Sequence, residues 1–219
     1  MSTFTGSAVT GSISAADILT YVNDRLGMEL SDIDTYLEDV LEPLSKRGPF
    51  IPEEADIAFT DGTATVACPT DYLFPQVLHL ESDTILNEGE ADEETIHHYY
   101  EPMERISIQD YNYAIRNETS IPEGTPTEYA IWDNTIYPYP VPDGSYTGKF
   151  KYFKRHARST TISFPVRFRN AIQKGVTAEV AKKYELWAIA DRYTLEFERE
   201  VAELRGIHEG PGFVKHNDI

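Results

Sequence analysis

The feature that most constrains this chain is a change in the period of its apolar residues. Near both ends they recur every three or four residues, as on one face of an α-helix, whereas the middle holds short alternating runs typical of β-strands. Because helical and strand segments are segregated along the chain, the pattern predicts an α+β fold. It predicts a helical bundle formed by both ends, with a small antiparallel β domain inserted between them.

Two helices are predicted near the N-terminus. Ser14 has the type and position of an N-cap residue, and Gly27 is typical of the residue that follows a helix. Ser31, three residues before Asp34, repeats the start signal for a second helix. Each helix has a single apolar stripe, so residues 14–47 are predicted to form an αα-hairpin with one buried face.

The C-terminal part is predicted to be helical again. Pro165 to Gly175 has the composition of a short helix, and Thr177 opens a long helix that runs to Arg205 and ends at Gly206. We expect the two N-terminal helices and the long C-terminal helix to pack together, because none of them can bury its stripe alone. The residues expected at this contact are Leu19, Val22, Leu37, Leu41, Tyr184, Trp187 and Val201.

The middle of the chain is predicted to hold short strands joined by turns. Asp61-Gly62 is a favoured turn dipeptide, so residues 57–67 are predicted to form a β-hairpin. Residues 81–94 have seven carboxylates and no basic residue, which predicts a solvated acidic loop. Ser107 with Asp110 predicts the start of a short helix. The remaining predicted strands are Val77–Leu80, His97–Tyr100, Tyr129–Trp132, Thr135–Tyr137 and Tyr146–Phe153.

These elements predict four segments of different character. The expected boundaries are a flexible N-terminal lead at 1–13, a helical domain at 14–48 and 164–205, a β-rich insert at 49–163 and a C-terminal extension at 206–219.

The overall charge restricts the class of partner. The chain has a net charge of −18, the opposite of what a non-specific nucleic-acid binder needs. Its one cysteine, Cys68, cannot form an intrachain disulfide, and we interpret it as a small buried residue. We expect neither a signal peptide nor a membrane span, because the N-terminus lacks a basic patch and no apolar run is long enough.

No motif for catalysis or cofactor binding is recognisable in the sequence. It lacks a phosphate loop, a dinucleotide fingerprint, a nucleophile elbow and a paired zinc-cysteine motif. His79, His97 and His98 are the best metal candidates, but adjacent residues on a strand point to opposite faces. The sequence therefore predicts a non-enzymatic protein with no catalytic, cofactor-binding or metal-binding residues.

One long segment differs in charge from the rest of the chain. From Gly144 to Ala178 there are eight basic residues and no acidic one, so this segment has a charge of +8. Because the whole chain has a net charge of −18, the rest of it sums to −26. Three interpretations are open: a solvated face, a surface that contacts another protein, or a DNA contact. We predict a subunit or portal interface, in which Lys149, Lys151, Lys154, Arg155 and Arg158 contact acidic residues of a neighbour such as Glu88, Glu90, Asp92, Glu93 and Glu94.

The order of these features resembles the adaptor (head–tail connector) proteins of tailed bacteriophages, including the tail tubular protein A type. The resemblance covers most of the chain but neither the acidic loop nor the two tails. It rests on the helical pair with Tyr36-Leu37, on Tyr129-Ala130-Ile131-Trp132-Asp133 with Pro138-Tyr139-Pro140, on Asp143-Gly144 with Tyr146, and on Pro165 with Phe168.

The resemblance implies a structural role in the virion. Such proteins form a ring, commonly a dodecamer, below the portal protein at the head–tail junction, where they extend the DNA channel and dock a tail or nozzle protein. DNA then passes through without sequence-specific binding, and the protein is made in the host cytoplasm. In that family the C-terminal segment often reaches the portal, which here implies docking through Phe213, Val214 and Ile219.

Two other functions stay open from the sequence. The first is another tail-completion, stopper or assembly protein of a virion, which differs from an adaptor only in its partner. The second is an enzyme with a cryptic carboxylate site, since aspartate and glutamate together number 37 in this chain.

Overall fold

The computed structural model describes residues 12–86, 95–117, 122–157 and 161–208. In these parts of the chain, helices and sheets occur together, which confirms the predicted α+β class. The chain divides into two compact units. The first comprises Met1–Ile51 and Arg155–Ile219, and the second comprises Pro52–Lys154.

The first unit is helical. Its described helices are α1 (Ala15–Leu26), α2 (Asp34–Ser45), α4 (Arg169–Lys183, preceded by a 3₁₀ turn at Val166–Phe168) and α5 (Trp187–His208). Both N-terminal helices pack against α4, and α5 packs along α4 as well. The single helix of the second unit that the structure describes is α3 (Ile108–Asn117).

Local capping signals explain how these helices start. The Ser14 hydroxyl accepts a hydrogen bond from the Asp17 N–H at 3.1 Å, and Gly27 is left-handed with φ +63°, as predicted. The predicted cap at Ser31 is wrong. The chain instead enters α2 through Ile33, which is buried in the core, and the Asp32 carboxylate accepts from the Asp34 N–H.

The C-terminal helices divide at a different place than predicted. The break lies between Lys183 and Trp187, where Glu185 has φ +59°, and α5 continues through Gly206 to His208. Gly175, predicted to end a helix, lies buried inside α4. A Cβ there would come within 2.8 Å of Val40 Cγ1 and 3.1 Å of the Phe197 ring, so this glycine permits close helix packing rather than a turn.

The core of the helical unit follows from this division. Val22, Leu37, Leu41 and Val201 are buried and Leu19 is partly buried, as predicted. Tyr184 and Trp187 were wrongly predicted to be core residues; they are 49% and 61% exposed because the helix breaks beside them. Their expected place is filled by fully buried residues of α4, namely Ala171, Ile172, Val176 and Val180.

The second unit is built from two four-stranded sheets and a two-stranded one within its described residues. The first sheet is antiparallel, in the order β1-β10-β3-β4, and the second has the order β2-β8-β7-β5. The short β5–β7 and β6–β9 pairings are parallel, so the unit is not wholly antiparallel. The strands are β1 (Pro52–Phe59), β2 (Val66–Ala67), β3 (Tyr72–Leu86), β4 (Thr95–Pro102), β5 (Glu104–Arg105), β6 (Glu123–Gly124), β7 (Glu128–Trp132), β8 (Thr135–Tyr139), β9 (Val141–Pro142) and β10 (Tyr146–Lys154).

The predicted hairpin over residues 57–67 is wrong. The chain does turn at Asp61-Gly62, but β1 pairs along its whole length with β10, whereas β2 pairs with β8. Gly62 is held elsewhere, since its N–H donates to the Pro142 carbonyl at 2.8 Å. The distant strand β10 therefore forms more residue pairs with β1 than the adjacent strand β2 does.

The predicted acidic loop begins later than expected. Residues 81–86 continue β3 and pair with β4, so they form a strand, whereas residues 87–94 lie outside the described part of the chain. The predicted strands Tyr129–Trp132 and Thr135–Tyr137 are confirmed, and they pair as the β7–β8 hairpin, with Asp133 and Asn134 both at positive φ in its two-residue turn. The predicted helix start at Ser107 is also confirmed, because its hydroxyl accepts from the Asp110 N–H.

A first prediction concerns the helical core. Leu41→Ala should lower the free energy of unfolding by about 2–4 kcal/mol, because Leu41 is fully buried and its loss leaves a cavity. Trp187→Ala removes a larger but exposed side chain and should change stability by less than about 0.5 kcal/mol. Urea melts of both variants measure this difference. Equal losses would contradict the assignment of the core.

A second prediction uses two helical glycines as a matched pair. Gly175→Ala should destabilise the protein by about 1–2 kcal/mol, because overpacking against Val40 and Phe197 outweighs the gain in helix propensity. Gly206→Ala has open space around it and should stabilise the protein by about 0.5–1 kcal/mol. Thermal and urea melts compare the two, and a stabilising Gly175→Ala would refute the close contact.

Candidate interaction surfaces

The lysines predicted to form an interface are placed on one strand, β10. Antiparallel pairing sets Lys149 opposite Asp56 of β1, and Lys151 opposite Glu54. Lys149 forms a hydrogen-bonded ion pair with Asp56, and Lys151 lies 3.8 Å from the Glu54 carboxylate. We call these pairs, together with Lys154 and its partner Glu53, the β1–β10 ladder.

The ladder shifts the pKa values of two of its members, Glu53 and Lys149. The hydrogen bond from Lys154 holds the pKa of the Glu53 carboxyl below its ordinary value, against the opposing effect of desolvation. The hydrogen bond to Asp56 raises the pKa of Lys149. All six side chains keep substantial contact with solvent, so each pair contributes little to stability alone. The main effect of the ladder is to fix how β1 and β10 face each other.

Sequence reasoning missed the carboxylates of the ladder. The signal was present, because Glu54 and Asp56 are two residues apart, as are Lys149 and Lys151, which is the spacing of neighbours on one face of a sheet. The lysines thus have partners within their own chain. Whether they also contact a neighbouring copy stays a prediction.

The remaining described basic residues of the segment belong to the helical unit. Arg169 lies 3.7 Å from Asp17, and Lys174 is paired with Glu196 and Glu200, all within the helical unit. Arg155 is exposed and forms no ion pair with a described residue. Arg158, the five acidic candidates between residues 88 and 94, and the tail residues Phe213, Val214 and Ile219 lie outside the described residues.

Two exposed aromatic sites offer apolar surface. The first is the corner between α4 and α5, where Tyr184, Trp187 and Ile189 are all exposed. The second is the tip of the β7–β8 hairpin, where Trp132 is 60% exposed beside the Asp133-Asn134 turn. Exposed clusters of large apolar side chains mark protein–protein contact sites more often than chance allows.

A groove lies between α2, α4 and α5. Its volume is about 260 Å³, and Gly175 contributes to its floor. Val40, Leu44 and Phe197 provide apolar wall, whereas the rim is charged. Thr194 also lines this groove, but its hydroxyl is shielded from solvent, with no hydrogen-bond partner among the residues that the structure describes.

Burial shifts the pKa values of titratable groups inside the second unit. Desolvation raises the pKa of the Cys68 thiol to about 11, which makes a reactive thiolate unfavourable. Desolvation and a hydrogen bond to Asp71 raise the pKa of Tyr152. Among the described ranges no group of three or more histidine, cysteine or carboxylate side chains is arranged to hold a metal ion. None of the described helices is long and apolar enough to cross a membrane.

A third prediction concerns the ladder. Because the folded pKa of Glu53 is depressed, its ionisation stabilises the fold above the unfolded pKa, and this contribution is lost as pH falls through the folded pKa. Lys154→Met should raise the pKa of Glu53, measured by NMR titration of its carboxyl carbon. Lys151→Met is the matched control and should leave that pKa unchanged. A Glu53 pKa that does not respond to Lys154→Met would exclude Lys154 as the cause.

Comparison with known proteins identifies a family whose model matches most of the chain. The model of the SU10 adaptor protein family matches residues 13–214, which include both the helical ends and the β-rich middle. Comparison with curated proteins finds no match. The match confirms the resemblance to phage adaptors, supports a structural role in the virion and suggests a non-enzymatic protein. The chain belongs to the SU10 adaptor protein family.

Proposed function

We propose that the protein is a head–tail adaptor that forms a ring between the portal and the tail of a phage particle and extends the DNA channel. The observation that carries this proposal is the family match over residues 13–214. The exposed apolar sites are consistent with it, since a ring subunit needs surfaces for two neighbours of its own kind and for proteins above and below.

The charge of the chain suits a DNA channel. A ring of roughly twelve copies would carry on the order of −200 formal charges before counterions screen it. Such a wall repels the DNA backbone, so DNA slides through without being held. The partners in this proposal are copies of the chain itself, the portal protein, and a tail or nozzle protein.

The structure describes some of the residues that are proposed to contact other copies or the portal, but not all of them. Of the five basic residues predicted to contact a neighbour, Arg155 is exposed and forms no ion pair with a described residue, so it is the one proposed to contact a partner in the described part of the chain. The Phe213, Val214 and Ile219 contacts with the portal remain part of the proposal and concern residues beyond the described ones.

Reconstitution tests the proposed function directly. Purified protein is mixed with purified portal rings of the same phage, and the products are measured by native mass spectrometry and electron microscopy. We expect a closed ring of the protein bound to one end of the portal. Binding to an isolated tail component without binding to the portal would indicate a tail-completion protein and would overturn the adaptor proposal.

A fourth prediction concerns Arg155. Arg155→Glu should slow assembly of the ring or its binding to the portal, because the neighbouring surface is proposed to be acidic. Arg25→Glu, an equal charge change at an exposed site on α1 away from both aromatic sites, is the matched control and should have a smaller effect. Assembly followed by light scattering at low and high salt measures this. If the assembly rate changes neither with Arg155→Glu nor with the salt concentration, the basic segment is not an interface.

A further inference from the structure

The turn between α4 and α5 depends on a residue type that does not favour it. Glu185 has φ +59°, in the left-handed region that glycine adopts readily and other residues adopt at a cost. The Leu186 N–H donates to the Ala181 carbonyl at 2.9 Å. The Glu185 N–H donates to the Lys182 carbonyl at 3.1 Å, which completes the pattern of a helix end where glycine is the usual residue. The turn is formed, but glutamate makes it less favourable than glycine would.

The sequence across this turn keeps the pattern of a single helix. Residues 183–187 contain neither glycine nor proline. Apolar residues keep helical spacing through the break, at Val180, Tyr184, Trp187 and Ala190. Val180 and Ala190 are buried, whereas Tyr184 and Trp187 are exposed. The sequence therefore suits one continuous helix as well as two, and the two-helix form leaves both aromatic residues of the stripe uncovered.

The contact between α4 and α5 is nearly symmetric about Leu186. A Cβ on Gly175 would lie 3.1 Å from the Phe197 ring, and these two residues are each eleven positions from Leu186. Lys174, twelve positions before Leu186, is ion-paired with Glu200, fourteen positions after it. Because of this symmetry, two copies of a straight α4–α5 helix that lie antiparallel and meet at Leu186 bring the same residues together.

We propose that α5 leaves α4 of its own chain and packs on α4 of a second copy, which gives its own α5 in return. In each chain α4 and α5 then form one continuous helix over residues 169–208, and the two helices lie antiparallel. The contacts between α4 and α5 are kept, but they now join two chains. Glu185 returns to the right-handed helical region, and Tyr184 and Trp187 lie beside the partner helix at the meeting point.

The exchange is favoured by the packing of α5, which contacts chiefly α4 among the described helices. One element can therefore be transferred while α1 and α2 stay on α4. Joining two molecules costs translational freedom, so the exchanged dimer forms at high protein concentration. This self-association belongs to the free protein and does not rest on the proposed adaptor role.

An exchange of charges between copies tests the proposal on the full-length protein. Lys174→Glu puts a carboxylate against Glu200 of its own molecule, and Glu200→Lys puts an ammonium group against Lys174. An exchanged dimer with one chain of each variant has opposite charges at both α4–α5 contacts. The two variants, one labelled with ¹⁵N, are refolded together from urea, and the mixed dimers are counted by native mass spectrometry. We expect about tenfold more dimer in the mixture than for either variant refolded alone.

A charge pair within α5 provides the matched control. Arg199 and Glu203 are 3.9 Å apart on the same helix, so they move together when α5 is exchanged. Arg199→Glu and Glu203→Lys therefore stay mismatched in every dimer. Their mixture should form no more dimer than either variant alone.

A second measurement changes only the turn. Glu185→Gly removes the cost of the left-handed residue and weakens a continuous helix, whereas Glu185→Ala removes the same charge and favours the continuous helix. After refolding at the same concentration, Glu185→Gly should form at least about tenfold less dimer than Glu185→Ala, because both chains of the dimer contain the changed residue. Circular dichroism checks that both variants are folded.

Two results would overturn the proposal. One is a mixture of Lys174→Glu and Glu200→Lys that forms no more dimer than the control mixture. The other is equal dimer formation by Glu185→Gly and Glu185→Ala, because the turn would then have no part in self-association. Either result leaves the adaptor role intact, since that role is tested by binding to the portal.

Discussion

The close contact at Gly175 sets the geometry of the helical unit. Only a residue without a side chain lets α4 approach Val40 of α2 and Phe197 of α5 so closely, and α1 then packs on the same helix. Because α4 is covered on several sides, its apolar residues are fully buried and its sequence lacks a clear polar face. The groove beside Gly175 is a consequence of the same packing, since three helices meet there around a missing side chain.

The parts of the fold that were predictable depend on neighbours a few residues apart. Ser14, Ser107 and the Asp133-Asn134 turn are each defined by a hydrogen bond or a backbone angle within four residues, so local sequence determines them. Pairings between strands that are far apart in the sequence were predicted poorly. β1 pairs with β10, some ninety residues later, over eight residue pairs and with three carboxylates matched to three lysines, whereas the adjacent strand β2 is only two residues long.

The candidate interaction surfaces were likewise predictable only where they depend on local sequence. The lysines of β10 were identified from charge alone, yet their partners on β1 depend on strand register, which charge does not reveal. Similarly, the exposed corner at Tyr184 and Trp187 has the spacing of a core stripe until the helix breaks at Glu185. The family was recognisable in the sequence because it rests on the order of several segments rather than on the position of any one side chain.

The pairing of Pro52 with Phe153 has a consequence for how the β-rich unit is connected to the rest of the chain. The strand that enters the β-rich unit and the strand that leaves it are adjacent, so the two crossing points lie only about 5 Å apart. A gap of that size can be bridged by a few residues, so removal of the β-rich unit leaves two chain ends that a short linker can rejoin without a change in the path of the flanking segments.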